Sequence, residues 1–252
     1  MADVLDLLEC PACREGALHD DARGNLACAA CDTTFPVRSG VACFQDRFDA
    51  YSENYDRICA DDLLEPKTPA VVKRIFTELV LARASGTVCD LGCGDGHVIR
   101  RIEADRRIAV DIAFPYLERL EPSIARLWAR VEQVPLRTAS VDTVVCTDVL
   151  EHVLDAEALA REIARLVRPG GSALLAFPFE QDLSVYDLPE YRRKYGKYDF
   201  VHLRSVTDAL VADLFPGFER RQERLITEGM PLMEFKPFPI KFVELRRRPC
   251  AA

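Results

Sequence analysis

The chain has 252 residues, 49% of them apolar and 29% charged, enough for one large globular domain and a small one. Its 33 basic residues face 41 acidic ones, and the net charge of -8 weighs against a general nucleic-acid binder, which shows a basic face. No apolar run approaches the roughly 20 residues that span a bilayer, and the acidic start Met1-Ala2-Asp3-Val4-Leu5-Asp6 lacks the basic region of a signal peptide, so the expected location is cytoplasmic.

The first predicted element is built on cysteine. Cys10-Pro11-Ala12-Cys13 and Cys28-Ala29-Ala30-Cys31 form a C-x2-C-x14-C-x2-C pattern, two knuckles that each point both thiolates at one metal. The turn residues Asp20-Asp21 and Arg23-Gly24-Asn25 lie between them and predict a hairpin. About 45 residues bury little core, and a metal commonly supplies the missing stability. Four thiolates close the coordination shell, so Zn2+ is expected to be structural. Six of the ten cysteines stand outside this pattern; Cys89, Cys93 and Cys146 read as small buried apolar residues. From Cys10 through the Phe35-Pro36 and Gly40-Val41 pairs, the segment resembles the zinc-ribbon partner subunits of tRNA, rRNA and protein methyltransferases. That resemblance implies a protein partner, or a covalently fused one, for this module.

Residues 44–62 read as a polar connector and 69–84 as an amphipathic helix, with Val71, Val72, Ile75, Phe76, Leu79 and Val80 at helical spacing. Next comes Val88-Cys89-Asp90-Leu91-Gly92-Cys93-Gly94-Asp95-Gly96: an apolar strand, an acid, and a turn through three glycines, leading into a helical stretch over 98–103. Glycines there let backbone approach a ligand closely, and Asp111 at the end of a second strand suits the two hydroxyls of a ribose. The G-x-G-x-G spacing is not the dinucleotide G-x-G-x-x-G, and no Walker lysine follows. A pyrophosphate is therefore disfavoured beside Asp90, whereas a cationic methionine moiety suits it.

These residues resemble the first motif of the class I S-adenosylmethionine-dependent methyltransferases. Asp148-Val149-Leu150-Glu151-His152 and the string RLVRPGGSALLAF, residues 165–177, resemble the family's later motifs. The resemblance covers about residues 50 to 248. It implies an α/β fold, a Rossmann-like seven-stranded sheet, here with a small N-terminal zinc ribbon. Strand patterns at 125–131, 141–146, 173–177, 218–227 and 241–247, with helices at 114–120, 156–167 and 205–214, fit that alternation. The expected organisation is 1–45 zinc ribbon, 46–85 connector and helix, 86–252 cofactor-binding domain.

Carried over by the resemblance, Asp90, Gly92 and Gly94 contact the amino-acid half of S-adenosyl-L-methionine, and Asp111 holds its ribose. Glu132 flanks the adenine, Cys146 and Thr147 approach the methionine backbone, and Tyr55 lies over the cofactor. His152 and His202 are the candidate catalytic bases, because imidazole titrates near neutral pH. The tyrosine-rich stretch 180–200 reads either as a substrate lid or as a packed surface excursion. The amine-methylating Asn/Asp-Pro-Pro-Tyr/Phe motif is replaced by Thr147-Asp148-Val149-Leu150, which favours an oxygen or carbon of a small molecule as acceptor. An RNA acceptor is the alternative, disfavoured by the acidic charge. A non-catalytic cofactor-binding partner or scaffold is the other.

Overall fold

A computed structural model describes residues 2–45, 50–60, 70–180, 183–195, 202–228 and 239–249. A 3-10 turn at Ala2–Leu7 precedes β1 (Leu18–Asp20), β2 (Leu26–Cys28), β3 (Thr34–Phe35), β4 (Val37–Arg38) and β5 (Val41–Cys43). Then follow α1 (Ala50–Ala60), α2 (Ala70–Leu81), β6 (Thr87–Leu91), β7 (Arg106–Asp111), α3 (Phe114–Glu118), β8 (Ala125–Trp128) and β9 (Val141–Thr147). The chain ends with α4 (Ala156–Leu166), β10 (Val167–Pro178), α5 (Pro189–Tyr195), α6 (Asp208–Leu214), β11 (Phe218–Ile226) and β12 (Ile240–Arg247).

The main sheet runs β11-β12-β10-β9-β6-β7-β8-β5-β4. Residues 87–247 supply the seven expected strands, with β12 antiparallel between β10 and β11, but the sheet has nine. The correction comes from the N-terminal segment. β5 pairs parallel with β8 (Ala42 opposite Leu127, Cys43 opposite Trp128), and β4 pairs with β5. An unpaired β8 edge would expose a row of backbone groups, and this hairpin covers it.

Period and turn chemistry account for the elements. β6, β8 and the 171–178 part of β10 are buried at successive positions rather than alternate ones, as in a parallel sheet covered on both faces. Asp155 caps α4, its side chain accepting from Ala158 N at 2.8 Å, and Thr207 caps α6 in the same way. The predicted helix over 98–103 contracts to a 3-10 turn at Ile99–Arg101, too short to propagate. The polar connector contains α1, whose Tyr55 packs on Cys59, Ala113 and Tyr116. The stretch 181–182 and 196–201, with most of the tyrosine-rich segment's side chains, lies outside the described residues. No helix of the described residues is long and apolar enough to cross a membrane.

The ribbon's core is continuous with the main one. Val4, Leu8, Leu18, Leu26 and Phe35 belong to the same buried cluster as Leu136, Leu159 and Ile163. Backbone bonds stitch the seam: Glu9 N donates to Pro135 O at 3.1 Å and Arg137 N to Leu7 O at 2.9 Å. Beneath it, buried Glu162 accepts from Val134 N at 2.7 Å and from Arg165 Nη2 at 2.6 Å. Arg165 also donates to the carbonyls of Leu136 and Val134.

Candidate functional site

The four ribbon thiols converge, their sulfurs all within 4.8 Å of one another. Cys10 and Cys31 Sγ are 3.8 Å apart, and Cys13 and Cys28 Sγ are 3.6 Å apart. Zinc–sulfur bonds of about 2.3 Å in a tetrahedron put sulfurs about 3.8 Å apart, so the set fits one Zn2+. Gly16 leaves the room: a Cβ there would meet Cys28 Sγ at 2.1 Å. Hydrogen bonds from the Thr33 side chain and backbone pull the Cys31 thiol down to about 6, whereas burial pushes Cys10 up to about 12.

The second site forms where β6, β7 and β9 end side by side. Asp90 lies opposite Ala109 of β7 and Val145 of β9. Gly92, Gly94 and Gly96 take φ of 72°, 51° and 79°, the left-handed region that an L side chain resists. At Gly92 a Cβ would also meet Val149 Cγ2 at 2.5 Å, so only glycine lets the turn lie against the 149–153 segment. Asp111 clasps the turn, accepting from Gly94 N and from Ala113 N at 2.8 Å each.

The electrostatics of this turn favour a cationic ligand. Burial, then the nearby charges of Asp111 and Asp95, push Asp90 up to about 8. Burial raises Asp111 to about 6 against the opposing backbone donors. Asp90 Oδ1 has no hydrogen-bond donor among the described residues. A ligand bringing positive charge and donors relieves both deficits.

The sequence-predicted residues fall into two groups. Asp90, Gly92, Gly94, Asp111, Cys146 and Thr147 meet at the strand ends. Glu132 stands off, half-buried in the loop after β8, its carboxyl raised by burial. Tyr55 packs beside the 111–116 turn. His152 and His202, 50 positions apart, form the other group, ring centroids 4.8 Å apart and edge to face. His202 Nδ1 pairs with buried Glu180, and Leu203 N donates to Glu151 O at 2.8 Å. Asp148, at φ 54°, begins this turn directly after Thr147.

Sequence reasoning missed Asp56, Glu151 and Glu180 as site residues. Asp56 lies near enough to Asp111 for the two charges to interact, and burial raises it to about 6. Glu151 carried a signal in its acid-x-x-acid-His string, whereas Glu180 carried none, because only the fold brings it to His202.

Comparison with known proteins agrees with both halves of this description. Residues 89–175 match a family model described as methyltransferase domain, and residues 2–40 match one described as Trm112p-like protein. One chain thus carries a segment similar to Trm112p-like proteins and a segment similar to methyltransferase domains. A ubiquinone/menaquinone biosynthesis C-methyltransferase of Rubrivivax gelatinosus is 32% identical over 50% of this chain and 52% of its own length. A ubiquinone biosynthesis O-methyltransferase of Xanthomonas oryzae is 35% identical over 42% of the chain and 48% of its own. The chain thus spans about half or less of the length of the curated relatives it matches. Among solved structures, a chain from the complex of the Haloferax volcanii Trm112 methyltransferase activator aligns with TM-score 0.60 at 15% identity, covering 81% of this chain and all of that one. A SAM-dependent methyltransferase from Thermotoga maritima aligns with TM-score 0.59 at 15% identity, over 78% of this chain and 99% of its own. These likenesses establish the fold of the methyltransferase domain.

Proposed function

We propose that the protein transfers a methyl group from S-adenosyl-L-methionine to an oxygen or carbon of a small molecule, in the cytoplasm. One observation carries the reading: two buried acids, Asp90 and Asp111, flank a left-handed glycine turn within the segment that matches the methyltransferase model. The curated relatives that act on quinone precursors support the acceptor class by analogy. The bound cofactor supplies an electrophilic methyl group on a sulfonium.

The chain's own residues then bind and align. Asp90 balances the positive charge of the amino-acid half, and Gly92 and Gly94, which carry no side chains, let the turn lie close to it. Asp111 holds the ribose hydroxyls while keeping the turn closed, and Glu132 borders the adenine. Cys146 and Thr147 line the methionine end, and Tyr55 covers it. His152 and His202 face the acceptor, where transfer is mainly a matter of alignment. The Trm112p-like module supports the domain in cis, its seam at 133–137 lying next to Glu132. The proposed division remains 1–45, 46–85 and 86–252, with β4 and β5 lent to the main sheet.

Calorimetry with S-adenosylmethionine, followed by label transfer from its methyl group into a fractionated extract, tests the reading. Binding that weakens at least tenfold in Asp111→Ala, with label entering small molecules, is the expected result. Label in RNA replaces the acceptor class with the alternative, and absence of cofactor binding overturns the proposal.

A further inference from the structure

Glu151 poses a problem that cofactor binding does not solve. Its side chain is 1% exposed, and neither carboxylate oxygen has a hydrogen-bond donor among the described residues. His152 Nε2 stands 3.9 Å from Oε1, too far for a hydrogen bond, and a buried carboxylate that accepts none is strongly unfavourable. Its neighbours deepen the deficit. Asp148 and Glu180 add negative charge, and Asp148 Oδ1 likewise lacks a donor. The guanidinium beside Glu151, that of Arg204, directs its N–H groups to the carbonyls of Leu150, Val153 and Leu154.

The geometry around it is that of a ligand set. Ligand atoms of Glu151, His152 and His202 lie within 4.8 Å of one another. Glu180 pairs with His202 Nδ1, which leaves Nε2 as the ligating nitrogen; carboxylates stand behind metal-bound histidines in this way. The two segments that carry the ligands are pinned together by Leu203 N to Glu151 O and by Arg204 to the 150–154 carbonyls.

We infer that Glu151, His152 and His202 form a divalent-cation site, with Asp148 adding negative charge nearby and Glu180 positioning His202. Two imidazoles and carboxylates suit Mn2+, Fe2+, Co2+ or Zn2+, whereas Ca2+ and Mg2+ prefer all-oxygen shells. The site differs in chemistry from the ribbon, where four thiolates select zinc. Three protein donors leave coordination positions open. If the methyl-transfer reading holds, on which this further step rests, the cation selects a hydroxyl oxygen over a carbon as acceptor. The O–CH3 bond forms as the S–CH3 bond breaks, the hydroxyl proton passes to water, and S-adenosylhomocysteine leaves as a neutral thioether.

The test uses full-length protein with its ribbon zinc in place, titrated in turn with Mn2+, Co2+ and Zn2+. Metal per chain and Mn2+ resonance are read directly. One further cation per chain is expected, weakened at least tenfold in Glu151→Gln and His202→Gln, and roughly 10- to 100-fold in Glu180→Gln. Each variant is checked for unchanged circular dichroism and one retained ribbon zinc. The Co2+ absorption spectrum reports the ligand set without any substitution, as nitrogen and oxygen donors give no thiolate charge-transfer band. No second cation with any of the three metals, thiolate bands alone, or a second cation indifferent to the substitutions overturns the assignment. Cofactor binding on the same samples separates the two ideas. Binding without a second cation removes this inference and keeps the methyl-transfer reading, and a second cation without cofactor binding does the opposite.

Discussion

The ribbon seam and the 148–204 cluster are both rich in buried charge, and they treat it in opposite ways. At the seam, Glu162 and Arg165 spend nearly every donor and acceptor on each other and on the backbone of 134–136. At the cluster, Glu151 and Asp148 keep oxygens without hydrogen-bond donors among the described residues. Satisfied buried charge holds parts together; unsatisfied buried charge marks a place where something else binds. The seam is thus architecture, and the cluster, one residue past the strand that ends at Thr147, is where the proposed cation site lies.

The largest expected effect breaks the seam from the metal side. Cys28→Ser should drop ribbon zinc below one per chain and lower the thermal midpoint by at least about 10 °C, because structural zinc contributes folding energy outright and the ribbon shares the main core. Metal analysis with calorimetry checks this. Zinc loss without a shift in unfolding would show the two cores to be independent.

A paired substitution sharpens the contrast. Glu162→Gln strips Arg165 of its charge partner and should cost about 3 kcal/mol in urea unfolding. Glu151→Gln, measured without added cation, replaces a buried carboxyl that accepts no hydrogen bond among the described residues and should leave stability equal or higher. Equal losses from both would erase the distinction between the two regions.

A third effect is read from pH. Asp90 and Asp111 sit near 8 and 6 in the folded chain, raised mainly by burial from the usual 3.8. A raised carboxyl binds more protons folded than unfolded, so its stabilising contribution is complete below 3.8 and is lost as pH rises through the folded value. The cofactor-free protein should therefore lose stability between about pH 4 and 8, and Asp90→Asn should flatten that slope, most visibly between about pH 6 and 8. A profile unchanged by that substitution would remove the electrostatic account of the glycine turn. The smallest effect belongs to Arg14→Ala: its partly exposed contacts to Glu9 and Glu162 are expected to contribute less than about 1 kcal/mol.

Local pattern carried much of this molecule. The C-x2-C knuckles are legible because a tight turn fixes both thiolates, and the glycine turn because only glycine tolerates its backbone. The helix over 98–103 misled, since apolar spacing alone does not propagate a single turn, and α1 was hidden because its face is mixed. Glu180 was silent because its role depends on a partner 22 positions away.

By itself the sequence determined the ribbon, the order of the seven strands of 87–247, and the acids at the ends of β6 and β7, since each rests on interactions between near neighbours in the chain. Only the tertiary structure decided that β4 and β5 extend the main sheet, that Glu162 and Arg165 lock the ribbon in place, and that His152 and His202 share a centre with Glu151. Those contacts join residues distant in sequence, and burial, which removes water from the charges, sets what each one does.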